Sequence, residues 1–98
     1  MVELHFAWDA GKAKNNIKKH GVSFEEAQTA FSDDKALLLD DPDHSGDEAR
    51  FILLGMSSAL RILVVVHAYH DEAGQIRLIS ARKATPTERT RYEKGAER

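Results

Sequence analysis

The side chains of this sequence with the capacity for chemistry are concentrated between residues 48 and 83: Glu48, Arg50, His67, His70, Arg77, Arg82 and Lys83. The sequence has no cysteine, which removes thiolate nucleophiles, disulfides and Cys-ligated zinc. The histidines stand at 5, 20, 44, 67 and 70 without HExxH spacing, and His67 and His70, three apart on a strand, fall on opposite faces. The acidic stretch Asp40 to Asp47 lacks the ligand spacing of an EF-hand. No metal or other cofactor is therefore expected. A glycine-rich phosphate loop and a GxSxG elbow are both missing, so nucleotide-dependent transfer and serine hydrolysis have no support.

What remains is enough for one reaction class without a metal, which on composition and spacing alone is one reading among several. Cleavage of RNA through its own 2′-hydroxyl needs a base for that hydroxyl, an acid for the leaving oxygen and cations for the crowded phosphate. Glu48, His67 or His70 can act as base or acid, while Arg50, Arg77, Arg82 and Lys83 can hold the phosphate. Trp8 or Tyr69 can stack on an extruded base, and Lys12 adds a further cation for the substrate. Each assignment has a structural rival. His67 also fits a hydrogen-bonded core histidine, Trp8 a core residue, Arg77 an ordinary edge residue, and Glu48 with Arg50 a surface ion pair.

The elements that must position these groups follow from periodicity and caps. Ile62 to Val66 is an aliphatic run rich in Val and Ile, a central strand, and Ile76 to Ala81 reads as its antiparallel partner across the turn Asp71-Glu72-Ala73-Gly74. Residues 2 to 8 alternate as a strand. Asp9 and Gly21 bracket a lysine-bearing helix from Ala10 to His20. Ser23 with Glu26 forms a capping box, and Val22 with Ala27 a hydrophobic staple, opening a second helix that buries Phe24, Ala27 and Phe31 and stops near Ser32. Ala36 to Leu39 and Arg50 to Gly55 read as strands. Thr85-Pro86-Thr87-Glu88 starts a last, very polar helix. The order predicts an α+β fold with helices mainly on one face of the sheet.

At 98 residues the chain is expected to form one domain, 1–98. No membrane span or signal peptide is predicted, and the lack of cysteine fits the cytoplasm. The net charge of −2 hides segregation. Residues 11–22 carry four Lys and no acid (+4), residues 32–48 seven acids against one Lys (−6), and residues 75–98 seven Lys or Arg against three Glu (+4). Two basic ends around an acidic middle suit a polyanionic ligand, and equally a dipolar surface that binds nothing.

A longer pattern adds to this. Phe6-Ala7-Trp8-Asp9 with Lys12 and Asn16, then KHGVSFEEA from Lys19, then Glu48 and Arg50, Val64-Val65-Val66-His67, and IRLISARKAT from Ile76 together resemble the BrnT toxin family over about residues 6 to 92. The resemblance implies a RelE-like fold: a mostly antiparallel, twisted sheet of about five strands, two N-terminal helices on one face and a C-terminal helix. It implies a ribonuclease that halts translation, and a BrnA-like antitoxin with a ribbon-helix-helix DNA-binding part, through which operator DNA is repressed. It also implies roles for Glu48, Arg50 and Arg82. Where the pattern leads one to expect Arg at the end of the strand before the turn, this sequence has His70, trading phosphate binding for acid–base capacity. The competing expectation is a non-catalytic subunit of a repressor complex, whose lysine-rich first helix and polar last helix hold a protein or nucleic acid.

Overall fold

The structure, a computed structural model, describes residues 4–41, 49–70 and 74–95, with the backbone alone at His70. The chain runs β1 (His5–Ala7), α1 (Ala10–His20), α2 (Phe24–Thr29), a 3₁₀ turn (Ala30–Ser32), β2 (Leu37–Asp40), β3 (Arg50–Met56), β4 (Ile62–His70), β5 (Gln75–Lys83) and α3 (Pro86–Gly95). The strands form one sheet in the order β1-β5-β4-β3-β2. All neighbours are antiparallel except β1, which runs parallel to β5 and leaves Leu4 and Trp8 outside the strand; residues 2 and 3 of the predicted strand lie outside the described residues.

The caps explain why the first helix begins and ends where the sequence says. The Asp9 carboxylate accepts the Lys12 N–H at 2.9 Å, and Gly21, at φ 69°, donates its N–H to Ile17 O at 2.8 Å. Lys18, Lys19 and His20 then stand at the negative end of the helix dipole. For α2, Ser23 Oγ accepts the Glu26 N–H at 3.0 Å. The Glu26 carboxylate does not turn back to complete the box. It accepts Arg61 Nε at 2.9 Å and Ser57 Oγ at 2.7 Å, tying α2 to the loop between β3 and β4. Arg61 holds that carboxyl below its usual range.

Alternation along the strands divides the apolar residues between two faces. Leu53, Leu63, Val65, Ile76, Leu78 and Ala81 pack with Val22, Phe24, Ala27 and Ala30 under α1 and α2. Full burial of side chains such as Phe24, Leu63 and Leu78 stabilises by about 1.5–3 kcal/mol each. The helices are not all on this side. On the other face Leu54 and Val64 pack with Tyr92, so α3 lies across the back of the sheet. The polar composition of α3 is compatible with this seat because it rests on few contacts. Tyr92 is buried and donates its hydroxyl to Asp33 Oδ2 at 2.6 Å, while the same oxygen accepts Met56 N at 2.8 Å. Burial and the Asp33 carboxylate push the Tyr92 phenol up to about 12. Gly95 passes so close to Leu37 that a Cβ there would sit 2.8 Å from its methyl carbons.

Asn16 is a buried polar side chain inside the main core. Asn16 Nδ2 donates to the carbonyls of Val22 and Ala81, both at 2.8 Å, and its Oδ1 accepts the Ala81 N–H at 3.1 Å. Replacing Asn16 with Leu, close in volume, strands three backbone groups in a buried site. The expected loss is about 2–4 kcal/mol, read as a lower urea midpoint at an unchanged m-value. A loss below about 0.5 kcal/mol would mean that water substitutes for the amide.

Candidate active site

The cations come together on the face that α3 partly covers. In register, Arg50 of β3 stands opposite Ala68 of β4, and Ala68 opposite Arg77 of β5, forming one row across three strands. With strands about 4.8 Å apart, the Arg50 and Arg77 backbones lie about 10 Å from each other. The next rows on this face are Ile52–Val66–Ser80 and Leu54–Val64–Arg82. Arg50, Arg77 and Arg82 therefore project from the same side, all half-buried.

That shared side depends on an irregularity. Arg77 and Arg82 are five apart, which in an unbroken strand places them on opposite faces. The ladder steps from Val66↔Ser80 to His67↔Leu78, leaving Ile79 without a partner across the strand pair. This bulge absorbs one residue and restores both arginines to one face. The same step keeps Ile76, Leu78 and Ala81 together in the core under α1 and α2.

Arg82 is held in place by α3. Its Nη1 and Nη2 donate to the two carboxylate oxygens of Glu88 at 2.8 and 2.9 Å. Glu88 also accepts the Thr85 N–H at 2.8 Å while Thr85 Oγ1 accepts the Glu88 N–H at 3.2 Å, so one carboxylate caps the helix and clamps the arginine. Arg82, foremost, and the Thr85 backbone bring the Glu88 carboxyl down to about 2. Glu88 is thus an anion at any physiological pH and has no proton to give.

The structure separates the other residues from this row. His67, expected as a possible base or acid, points into the opposite core and is 4% exposed. Its Nδ1 lies 3.1 Å from Val65 O, which fixes the proton on Nδ1, and its ring meets Phe31 edge-on at 4.8 Å. Burial lowers its pKa, so it stays neutral. The reason is the alternation of β4: Ala68 is on the arginine face, and His67 is its neighbour. Trp8 packs edge-on against Phe24 at 6.0 Å, as a core residue rather than a stacking platform. Lys12 is exposed on α1, and Lys83, the neighbour of Arg82, alternates to the side of α1 and α2. Tyr69 is exposed beside His67 on that side too. Glu48 lies outside the described residues, as does the side chain of His70, whose backbone ends β4.

Two residues on the arginine face were not singled out from sequence for this site. In the sequence Glu88 reads as a cap and Arg91 as part of a polar helix. Helical spacing held the signal, because 88, 91, 92 and 95 share the side of α3 that includes buried Tyr92.

The comparisons agree with this architecture. A family model described as ribonuclease toxin, BrnT, of type II toxin-antitoxin systems matches residues 8–88. The crystal structure of the Brucella abortus ribonuclease toxin BrnT is similar with a TM-score of 0.64 at 22% identity, over 85% of this chain and 99% of that one. No match is found among curated proteins. Fold and family match together define a small α+β ribonuclease toxin with an antitoxin partner. The chain belongs to the BrnT family of type II toxin-antitoxin systems.

Two outcomes follow from this geometry. The Glu88 carboxyl is depressed in the folded state, so its stabilisation is complete above its ordinary value of 4.5 and disappears as pH falls towards about 2. Because the Arg82 and Glu88 side chains are 40% and 30% exposed, the effect is screened to about 1 kcal/mol. Glu88→Gln should flatten that part of a urea-stability profile against pH, and an unaltered slope would sink the assignment. His67→Leu should retain RNA cleavage in a folded sample, since the ring lies on the far face; loss of cleavage with an intact fold would restore His67 to the site.

Proposed function

We propose that the chain acts as one toxin domain that cleaves RNA without a metal ion, by attack of the 2′-hydroxyl on the adjacent phosphorus. The 5′-oxygen leaves, giving a 2′,3′-cyclic phosphate and a 5′-hydroxyl end. The observation that carries this reading is the convergence of Arg50, Arg77 and Arg82 on one face through the bulge at Ile79. Arg50 and Arg77 hold the non-bridging oxygens, whose charge grows as the phosphorus becomes five-coordinate. Arg82, oriented by Glu88, supplies a third cation in a fixed position. Glu48 and His70 are the proposed proton-transfer groups. Glu48 precedes Arg50 by two residues and His70 follows Ala68 by two. A carboxylate as base and an imidazolium as acid would complete the exchange without a metal.

In this reading the enzyme works in the cytoplasm, and RNA cleavage halts translation. A BrnA-like antitoxin neutralises it and carries a ribbon-helix-helix part, through which the pair represses its own operon. Family membership supports an antitoxin and an RNA substrate.

Incubation of the purified protein with RNA in EDTA tests the chemistry. The wild type should cleave, Arg50→Ala and Arg77→Ala should each lose about 10²-fold or more in kcat/KM, and Lys14→Ala on α1 should stay within about threefold. Folded wild type that leaves RNA intact favours the non-catalytic subunit. Arginine variants that cleave at full rate would place the active site elsewhere.

A further inference from the structure

Beside the arginine row the sheet and α3 enclose a narrow cleft of about 110 Å³. Its floor is Ile52 and Val64, with Leu39 of the edge strand at one side. Its rim is Arg82, Glu88 and Arg91. The volume is far below the roughly 300–1,000 Å³ of pockets that take whole drug-sized ligands, so the cleft has room for one small group. Apolar walls with a polar rim along one side suit a ring with hydrophobic faces and hydrogen-bonding edges.

We propose that this cleft is a nucleobase subsite for the RNA that the enzyme cuts, which rests on the ribonuclease reading above. Its position fits that role. Ile52 is two residues along β3 from Arg50, so the floor begins about 7 Å from the phosphate row, within the reach of a base belonging to a nucleotide that flanks the scissile phosphate. Arg91 is exposed on α3 at the mouth, where its planar guanidinium can stack on the base. Glu88 presents a carboxylate fixed by Arg82 and Thr85, and fixed as an anion. An acceptor that cannot become a donor favours bases that present an amino edge over those that present a carbonyl. The clamp between Glu88 and Arg82 therefore joins phosphate binding to base selection, and α3 is the element that carries both.

The test is a series of RNA oligonucleotides, each with one abasic nucleotide, walked across a cleavage site. One flanking position should lower kcat/KM by tenfold or more when abasic. Arg91→Ala should cause a similar loss on intact RNA and little further loss on the RNA abasic at that position, because both changes remove the same contact. Leu39→Trp, which fills the cleft from the sheet edge, should reproduce the loss if α3 is disturbed by the first variant. Equal cleavage of every abasic RNA overturns the subsite alone. Wild type that cleaves no RNA overturns it together with the ribonuclease reading. Leu39→Trp that leaves cleavage unchanged and weakens antitoxin binding overturns it by assigning the cleft to the partner protein.

Discussion

The carboxamide of Asn16 is the contact on which the rest of the molecule depends. β1 is three residues long and pairs only with Gln75, Ile76 and Arg77, which would leave the outer edge of β5 open further along. Asn16 closes it at Ala81, accepting its N–H and donating to its C=O as a neighbouring strand would. Its second donor hydrogen goes to Val22 O, so the same side chain fixes the turn between α1 and α2. A buried amide satisfied in this way holds three elements to one register, where a lone unsatisfied one would loosen them. β5 carries Arg77, Ser80 and Arg82. The position of the arginine face along the sheet is thus set from the opposite side, by a residue that never approaches RNA in the proposed reaction.

Much of the fold was legible because local chemistry and tertiary structure agree. Asp9 and Gly21 bound α1 as read, and the aliphatic run at Ile62 to Val66 is a central strand. The seat of α3 was not legible, since Tyr92 is its only buried residue and a single aromatic does not say which face it meets. The arginines of the site were visible as residue types but not as a set. Period-2 counting puts Arg77 and Arg82 on opposite faces, and nothing in the run of residues announces that Ile79 drops out of the ladder. The histidine went the other way: the alternative of a core residue is the one the structure displays. Glu88 shows a further limit, because a strong local reading as a cap concealed its second partner.

Three carboxylates do similar work at different places. Glu26 joins α2 to the β3–β4 loop, Asp33 joins the 3₁₀ turn to β3 and α3, and Glu88 joins α3 to β5. Each is depressed or held as an anion by donors already in place. None is deeply buried, and surface-screened pairs add only about 1 kcal/mol or less. Their value is directional. Hydrogen bonds with two or three fixed donors specify where a helix sits, while the apolar residues supply most of the free energy.

The unpaired Ile79 makes regularity and function compete. A β5 of the same length with Ile79 back in the ladder would alternate without interruption and pair its backbone along its whole length, a better strand by every local criterion. It would also turn one arginine to the wrong side. Substitutions within this segment change single side chains, whereas a gain or loss of one codon keeps both arginines on one face only if the bulge disappears with it. Selection on such a protein would therefore act on residue number and bulge together, as strictly as on the arginines themselves.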